Sequence, residues 1–218
     1  MRKMITVKIN GEERQYPQGA TYEDVANDYQ QEYENLIALA ARDGKIRELF
    51  KKLTRDCEVT FFTLKDDVGN KTYVRSATML FLKAVFDVYG REAAQSCRVE
   101  FAIGNGSYIS PRGQIAATED NAAKIRDRMR ELVEAKTPFL KRSYSLDNAM
   151  ELFHKEGMED KEKLFRYRRG SFVNIYEMDG YYDYYYGYML PNAGYVKWFD
   201  VIAYEDGFML LLPDKKDP

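Results

Sequence analysis

The stretch from Met79 to Val88 constrains the fold most, because it is apolar around nearly the whole circumference of a helix. Its apolar residues are Met79, Leu80, Phe81, Leu82, Ala84, Val85, Phe86 and Val88. Gly90 follows and is a suitable C-cap. A helix with so little polar surface must be covered on all sides, so we expect it to be central and buried. The 218 residues suffice for such a core within one or two domains.

The first 64 residues have the pattern of a small sheet that holds one helix. An alternating strand precedes Asn10-Gly11, a pair typical of a tight hairpin turn. Thr21 stands three residues before Asp24, which predicts an N-cap and a partial capping box. Further strands are predicted at 36–40, 45–49 and 58–62. This order is typical of a β-grasp-like sheet.

Residues 73–212 predict a larger α+β domain, in which the buried helix packs against antiparallel sheet. An amphipathic helix is expected at 119–136, and Ser145 is placed to cap another. The polar run 65–72 is interpreted as a linker between the two domains. The last residues, 213–218, are charged and proline-bounded, which predicts a second linker, leading to a C-terminal domain. The fold class predicted for the whole chain is α+β.

The scarcity of histidine and cysteine limits the chemistry of this chain. His154 is the single histidine, and Cys57 and Cys97 are forty positions apart without metal-ligand spacing, so no metal site is expected. Two isolated cysteines favour free thiols in a reducing compartment. No stretch approaches the roughly 20 apolar residues of a membrane helix, and the N-terminus has no signal-peptide pattern. We therefore expect a cytoplasmic chain without a membrane partner.

Charge argues against a general polyanion binder, since 33 basic residues face 35 acidic ones. The densest basic stretch includes Arg126, Arg128 and Arg130, which are possible RNA contacts. Acidic residues intersperse it, notably Asp127 and Glu131, and this pattern favours an ordinary salt-bridged helix surface.

A run of tyrosines at 181–188 is the most distinctive local composition. If it forms a strand, Tyr182, Tyr184 and Tyr186 share one face, and Tyr181, Asp183 and Tyr185 share the other. Such a face can stack on nucleobases, or it can simply pack in a sheet, for which tyrosine has a high preference.

The order of these pieces resembles a known two-domain unit. Residues 4–63 resemble a TGS domain, the β-grasp module that opens threonyl-tRNA synthetases. The region after it resembles the second additional domain of those synthetases, which edits mischarged tRNA. The stretches that carry the resemblance are Ala20–Ala26, Val59–Phe62, Arg75–Leu80, Ala102–Tyr108 and Asp183–Asn192.

The resemblance also indicates that an active site has been lost. The editing domain uses an H-x-x-x-H pair on its helix and a C-x-x-x-H pair on a later segment. The matching positions here hold Arg75 and Met79, and Tyr185 and Met189. Methionine cannot act as a base, and tyrosine is a poor one at neutral pH. The resemblance therefore implies a degenerate editing pocket that includes Asp183, with no catalytic residue.

The same unit also precedes a P-loop kinase domain in a bacterial family similar to uridine kinases and phosphoribulokinases. An arginine at the first editing position, the tyrosine run and a Leu-Leu-Leu-Pro exit resemble that family. This implies a regulatory or ligand-binding region of a nucleoside kinase, joined to a C-terminal P-loop kinase domain. ATP and Mg²⁺ would belong to that domain, and these residues would need no cofactor.

The sequence is therefore compatible with three functions. In the first, Arg75 supplies a cation and Tyr185 a stacking or hydroxyl contact to a nucleotide, a nucleoside or a tRNA end. In the second, the chain is an aminoacyl-tRNA deacylase related to threonyl-tRNA synthetase. In the third, it is an RNA-binding or protein-interaction module that uses Arg126, Arg128 and Arg130.

Overall fold

The computed structural model of the protein describes residues 3–168 and 170–215. They form two compact units, which divide within one helix between Ser76 and Ala77. Of the described residues, unit 1 comprises 3–76, 187–191 and 213–215, and unit 2 comprises 77–168, 170–186 and 192–212. The final residues of the predicted second linker, 216–218, lie outside the described residues.

Unit 1 is built on a five-stranded mixed sheet in the order β2-β1-β5-β3-β4. Its elements are β1 (Met4–Ile9), β2 (Glu12–Pro17), α1 (Tyr22–Tyr29), β3 (Ile37–Arg42), β4 (Lys45–Glu48) and β5 (Cys57–Thr63). Strands β1 and β5 pair in parallel and the other neighbours are antiparallel. This agrees with the predicted β-grasp-like sheet that holds one helix.

Local sequence signals fix the first turn and the first helix of unit 1. Asn10 and Gly11 both have positive φ, at 51° and 89°, as the predicted hairpin turn requires. The Thr21 hydroxyl accepts from the Asp24 backbone amide, while the Asp24 carboxylate accepts from the Thr21 amide. This reciprocal capping box starts α1 where the sequence predicts it.

Helix α2 spans Asp67–Tyr89, and its length corrects one prediction. Residues 65–72 were expected to be a linker, but all except the first two belong to α2. Their polar composition reflects the solvent-facing side of the first turns, where Asp67 and Lys71 are exposed while Gly69 and Thr72 are buried. Asp67 is also favourably placed at the positive end of the helix dipole. A Cβ at Gly69 would lie 1.9 Å from the carbonyl oxygen of Thr63, so glycine permits the close approach there. The domain boundaries themselves, 1–64 and 73–212, stay a prediction.

The apolar half of α2 is buried, as predicted. Met79, Leu80 and Phe81 are completely inaccessible to solvent. Phe81 packs on Phe208 of the antiparallel sheet, with ring centroids 6.3 Å apart. Within the described residues, no helix combines the length and apolarity needed to cross a membrane.

Unit 2 surrounds this helix with two antiparallel sheets, of order β10-β9-β8 and β11-β12-β7-β6. The helices are α3 (Arg91–Ser96), α4 (Glu119–Glu134), α5 (Leu146–Lys155) and α6 (Glu159–Arg166). The strands are β6 (Arg98–Ile103), β7 (Gly106–Ser110), β8 (Leu140–Ser145), β9 (Phe172–Met178), β10 (Tyr181–Asp183), β11 (Asp200–Tyr204) and β12 (Gly207–Leu211). Together with unit 1 they confirm the α+β class.

The tyrosine run forms a shorter strand than the alternation predicts. Strand β10 ends at Asp183, so Tyr184 and Tyr186 are outside it and the expected tyrosine face is not formed. The Asp183 carboxylate accepts from the Tyr184 backbone amide at 2.7 Å, a local side-chain bond that competes with a continued ladder.

Candidate functional site

A cavity of about 380 Å³ lies within unit 2. One side is helix α2, which contributes Thr78 and Leu82 at i and i+4, and therefore on one helix face. The other sides come from residues 94–99, from 157–161 at the start of α6, and from β10 and the residue two positions beyond it. The lining residues include Cys97, Met158, Lys161, Tyr181, Asp183 and Tyr185.

An ion pair between Lys161 and Asp183 is more buried than the pair of Arg98 and Asp160, which also belong to the cavity lining. The Lys161 Nζ atom lies 2.8 Å from Asp183 Oδ1, and the two side chains are 27% and 6% exposed. The same oxygen accepts from the Tyr184 amide. A carboxylate can be buried to this degree only when it is paired and hydrogen-bonded, so Lys161 stabilises the charge of Asp183.

The Tyr185 hydroxyl is another buried polar group of the cavity. Its oxygen is buried and has no hydrogen-bond partner among the described residues. Burial, and next the negative charge of Asp183, raise the pKa of Tyr185 well above its usual range. The phenol therefore keeps its proton at neutral pH and is able to donate a hydrogen bond to a ligand.

The remaining lining is mixed: Leu82, Ala94, Val99 and Met158 are apolar, and Thr78, Gln95, Arg98, Glu159 and Asp160 are polar or charged. Cys97 is buried, and burial raises the pKa of its thiol to about 12. A thiol that keeps its proton is a poor nucleophile, so Cys97 contributes apolar surface. Tyr181 is 3% exposed and Met158 is also buried. The cavity thus combines apolar surface with the buried pair of Asp183 and Lys161, the Tyr185 phenol, and the charged residues Arg98, Glu159 and Asp160.

The structure brings two of the five predicted pocket residues to this cavity, Asp183 and Tyr185. Met79 is completely buried in α2 and is not among the lining residues. Arg75 and Met189 belong to unit 1. The binding roles of all five stay predictions.

Within unit 1, Arg75 holds a backbone segment. Its Nε atom donates to the Tyr188 carbonyl at 3.1 Å, and a Cβ at Gly187 would lie 2.6 Å from its Cζ atom. The Met189 amide donates to Glu48 at 3.3 Å. Arg75 therefore positions residues 187–188, in addition to any role in binding an anion.

Arg126, Arg128 and Arg130, the possible RNA contacts predicted from the sequence, are all ion-paired. Arg126 pairs with Asp200 at 3.1 Å, Arg128 with Asp87 at 2.9 Å, and Arg130 with Asp127 at 3.4 Å. These pairs match the salt-bridged helix surface that the sequence favours. RNA binding by this helix stays a prediction.

Sequence reasoning missed Lys161 and the whole of α6. Charges at i and i+4 were the available signal, since Lys163 pairs with Glu159 and Arg166 with Glu162. The His154 ring nitrogen lies 3.1 Å from Glu162 at the surface. Among the described residues, no group of three or more histidine, cysteine, aspartate or glutamate side chains is placed to hold a metal ion.

The chain is similar in sequence to several threonine–tRNA ligases. It is 27% identical over 208 residues to the threonine–tRNA ligase of Thermotoga neapolitana, covering 92% of this chain and 31% of that enzyme. The enzymes of Thermotoga maritima and Porphyromonas gingivalis are 28% and 25% identical, over 91% and 86% of this chain and 30% and 29% of their own lengths. No family model matches the chain.

The chain is thus similar to part of these threonine–tRNA ligases over most of its own length, and it spans less than a third of theirs. The assignment of residues 4–63 as a TGS domain has no separate support and stays a prediction. The same holds for the nucleoside-kinase parent, its P-loop domain, its ATP and Mg²⁺, and a cytoplasmic location.

Proposed function

We propose that unit 2 is an aminoacyl-tRNA editing-type domain whose cavity binds the aminoacyl group at the 3′ end of a tRNA. The similarity to threonine–tRNA ligases supports a tRNA partner. It favours an editing-type domain over the nucleoside-kinase function, for which no described residue offers support.

The Asp183 carboxylate carries this proposal. It lines the cavity, and its two described bonds, from Lys161 and from the Tyr184 amide, both use Oδ1. A carboxylate accepts up to about four hydrogen bonds, so Asp183 has capacity for a further donor. The α-ammonium group of an aminoacyl ester supplies such a donor, and a charge-assisted bond to it is stronger than a neutral one.

The size and walls of the cavity suit the rest of this ligand. A volume of about 380 Å³ falls within the range of roughly 300–1,000 Å³ typical of small-molecule sites. Leu82 and Met158 provide apolar contact for a side chain. The Tyr185 hydroxyl, which keeps its proton, is suited to donate to an ester or ribose oxygen.

The test compares two forms of one tRNA in a filter-binding assay. One form carries serine through a stable amide at its terminal ribose, and the other is uncharged. Contacts to the tRNA body are common to both forms, so the difference in Kd isolates the aminoacyl group. We expect the charged form to bind about tenfold more tightly, which is about 1.4 kcal/mol.

Two variants complete this test. Asp183→Asn should bind both forms equally, because an amide does not form an ion pair with the ammonium group. Asp147→Asn removes an exposed carboxylate from the first turn of α5 and should leave the difference in Kd unchanged. Equal binding of the two tRNA forms by the unaltered chain would overturn the proposal.

A further inference from the structure

The four-stranded sheet of unit 2 has exposed apolar side chains on one face. Strand register places Phe101 opposite Tyr108, Tyr108 opposite Met209, and Ile103 opposite Gly106, all on the same side. Tyr204 joins them through its pairing with Gly207. We define Phe101, Ile103, Tyr108, Tyr204 and Met209 as the outer face.

Three aromatic rings form a continuous row across this outer face. Phe101 stacks on Tyr108 with ring centroids 4.9 Å apart and planes 17° apart. Tyr204 meets Tyr108 edge-on, at 6.1 Å. A Cβ at Gly207 would lie 2.9 Å from the Tyr108 ring, so this glycine lets the ring lie flat on the sheet. The row is therefore fixed by packing within the sheet.

Three residues of the outer face are exposed and surround Tyr108 and Met209, which are nearly buried at 7% and 4% exposure. Phe101 is 52% exposed, Ile103 is 47% and Tyr204 is 39%. On the opposite face, Ile109 and Phe208 are completely covered. Scattered exposed apolar residues are ordinary, but a contiguous aromatic and aliphatic group on one sheet face is typical of an interaction surface.

The border of the outer face is acidic. The Tyr108 hydroxyl donates to Asp206, and Glu205 precedes it in the turn between β11 and β12. The hydrogen bond to Asp206, burial, and the negative charges of Asp206, Glu205 and Glu100 raise the pKa of Tyr108 to about 12. A partner that covers this face therefore gains from positive charge beside its apolar contacts.

Geometry and charge select among the possible occupants. The apolar side chains spread across four strands, about 14 Å at roughly 4.8 Å per strand, which is close to the 10–12 Å diameter of a helix. Pairing of another strand along β6 is opposed by the irregular register between Val99 and Phe101. The acidic border repels nucleic-acid phosphates, and a second copy of this chain would bring acid against acid.

We propose that the outer face is a docking surface for an amphipathic helix of a partner protein, apolar on one side and flanked by lysine or arginine. This inference does not depend on the editing-type function, because none of the outer-face residues lines the cavity.

A synthetic helical peptide serves as the probe. It has about 18 residues, or five turns, with leucine along one face and lysine on both flanks. A control peptide of the same pattern carries glutamate in place of lysine. Titrated in fluorescence anisotropy, the lysine peptide should bind saturably and the glutamate peptide at least about tenfold more weakly, with added salt reducing the difference.

Variants of the chain locate the binding. Phe101→Ser with Ile103→Ser should weaken binding of the lysine peptide about tenfold, the effect of losing central apolar contacts. Glu205→Gln with Asp206→Asn should abolish the preference for lysine over glutamate. Phe172→Ser, at a 67% exposed residue of β9 outside the outer face, should change neither.

Four results would overturn the proposal. The first is no saturable binding at about 1 mM peptide, a concentration that detects even weak complexes. The second is binding that Phe101→Ser with Ile103→Ser leaves unaffected, and the third is tighter binding of a short single-stranded RNA. The fourth is a dimer in sedimentation that the same double variant converts to monomer.

Discussion

Lys161 Nζ and Asp183 Oδ1 lie 2.8 Å apart, joining the first turn of α6 to the end of β10. The pair is asymmetric, since Asp183 is nearly inaccessible while Lys161 reaches solvent along part of its length. Loss of the lysine leaves a buried, unpaired charge, whereas loss of the carboxylate leaves a cation that can turn outward.

This asymmetry predicts unequal stability losses. Lys161→Met should lower the free energy of unfolding by about 2–3 kcal/mol, because the Asp183 carboxylate stays buried without its cation. Asp183→Asn should cost only about 1 kcal/mol, since the amide oxygen still accepts from Tyr184. Urea unfolding followed by circular dichroism measures both, and an equal or reversed order would contradict the pairing.

At Lys83 we expect the reverse order: loss of the lysine should cost less stability than loss of its carboxylate partner. It is 2% exposed in the middle of α2, and its Nζ atom lies 2.7 Å from both Asp87 and the Asp179 carbonyl. Asp87 keeps Arg128 as a second partner, and the Asp179 side chain is exposed. Lys83→Met should therefore change stability by no more than about 1 kcal/mol. Asp87→Ala should cost about 2 kcal/mol, because the buried lysine loses its nearer carboxylate and keeps the exposed Asp179 carboxylate as its charge partner, 3.4 Å away. Thermal unfolding of the two variants gives the comparison.

The two cysteines should differ in reactivity. The structure leaves both free, with Cys97 buried and Cys57 partly accessible. At pH 8 an aromatic disulfide reagent should modify Cys57 first and Cys97 only on unfolding, because burial raises the pKa of Cys97 from 9.0 to about 12. Modification of both at one rate in the folded chain would contradict this burial.

The raised pKa of Cys97 also makes the free energy of unfolding depend on pH. Between pH 9.0 and about 12 the unfolded chain releases the Cys97 proton while the folded chain retains it. Stability should therefore fall as pH rises through this window, and Cys97→Ala should reduce the slope. A slope that is unchanged by the substitution would assign the fall to other groups.

Ester hydrolysis by this chain should be slow. Asp183 is paired with Lys161, Tyr185 keeps its proton, and Arg75, Met79 and Met189 offer no base. Release of serine from mischarged tRNA should therefore stay within about twofold of the uncatalysed rate, far below the 10²–10⁴-fold supplied by a general base. Faster release that is lost in Asp183→Asn would instead assign a hydrolytic role to that residue.

Short-range patterns predicted much of this fold. The capping box of Thr21 and Asp24 and the turn at Asn10-Gly11 depend on a few neighbouring residues, so sequence alone identifies them. Residues 67–72 were misassigned because the partly exposed start of a helix and a linker share the same polar composition. The helical start there becomes evident only from the contact of Gly69 with the Thr63 backbone.

The candidate site was less predictable, because it depends on tertiary pairing. Asp183 and Tyr185 were identified from a resemblance, whereas Lys161 gave no local signal of its partner. Nothing in the sequence around α6 indicates that this lysine meets the end of β10, since that contact exists only once the sheet and helix are packed together.

Calorimetric titration with two small ligands measures whether Asp183 recognises the α-amino group of an aminoacyl ligand. One ligand is adenosine with serine joined to its 3′ position through an amide, and the other is the same compound without the α-amino group. The cavity should bind the amine about tenfold more tightly, and Asp183→Asn should remove that preference. Equal affinities for the two ligands, or a preference that survives Asp183→Asn, would contradict recognition of the aminoacyl group by Asp183.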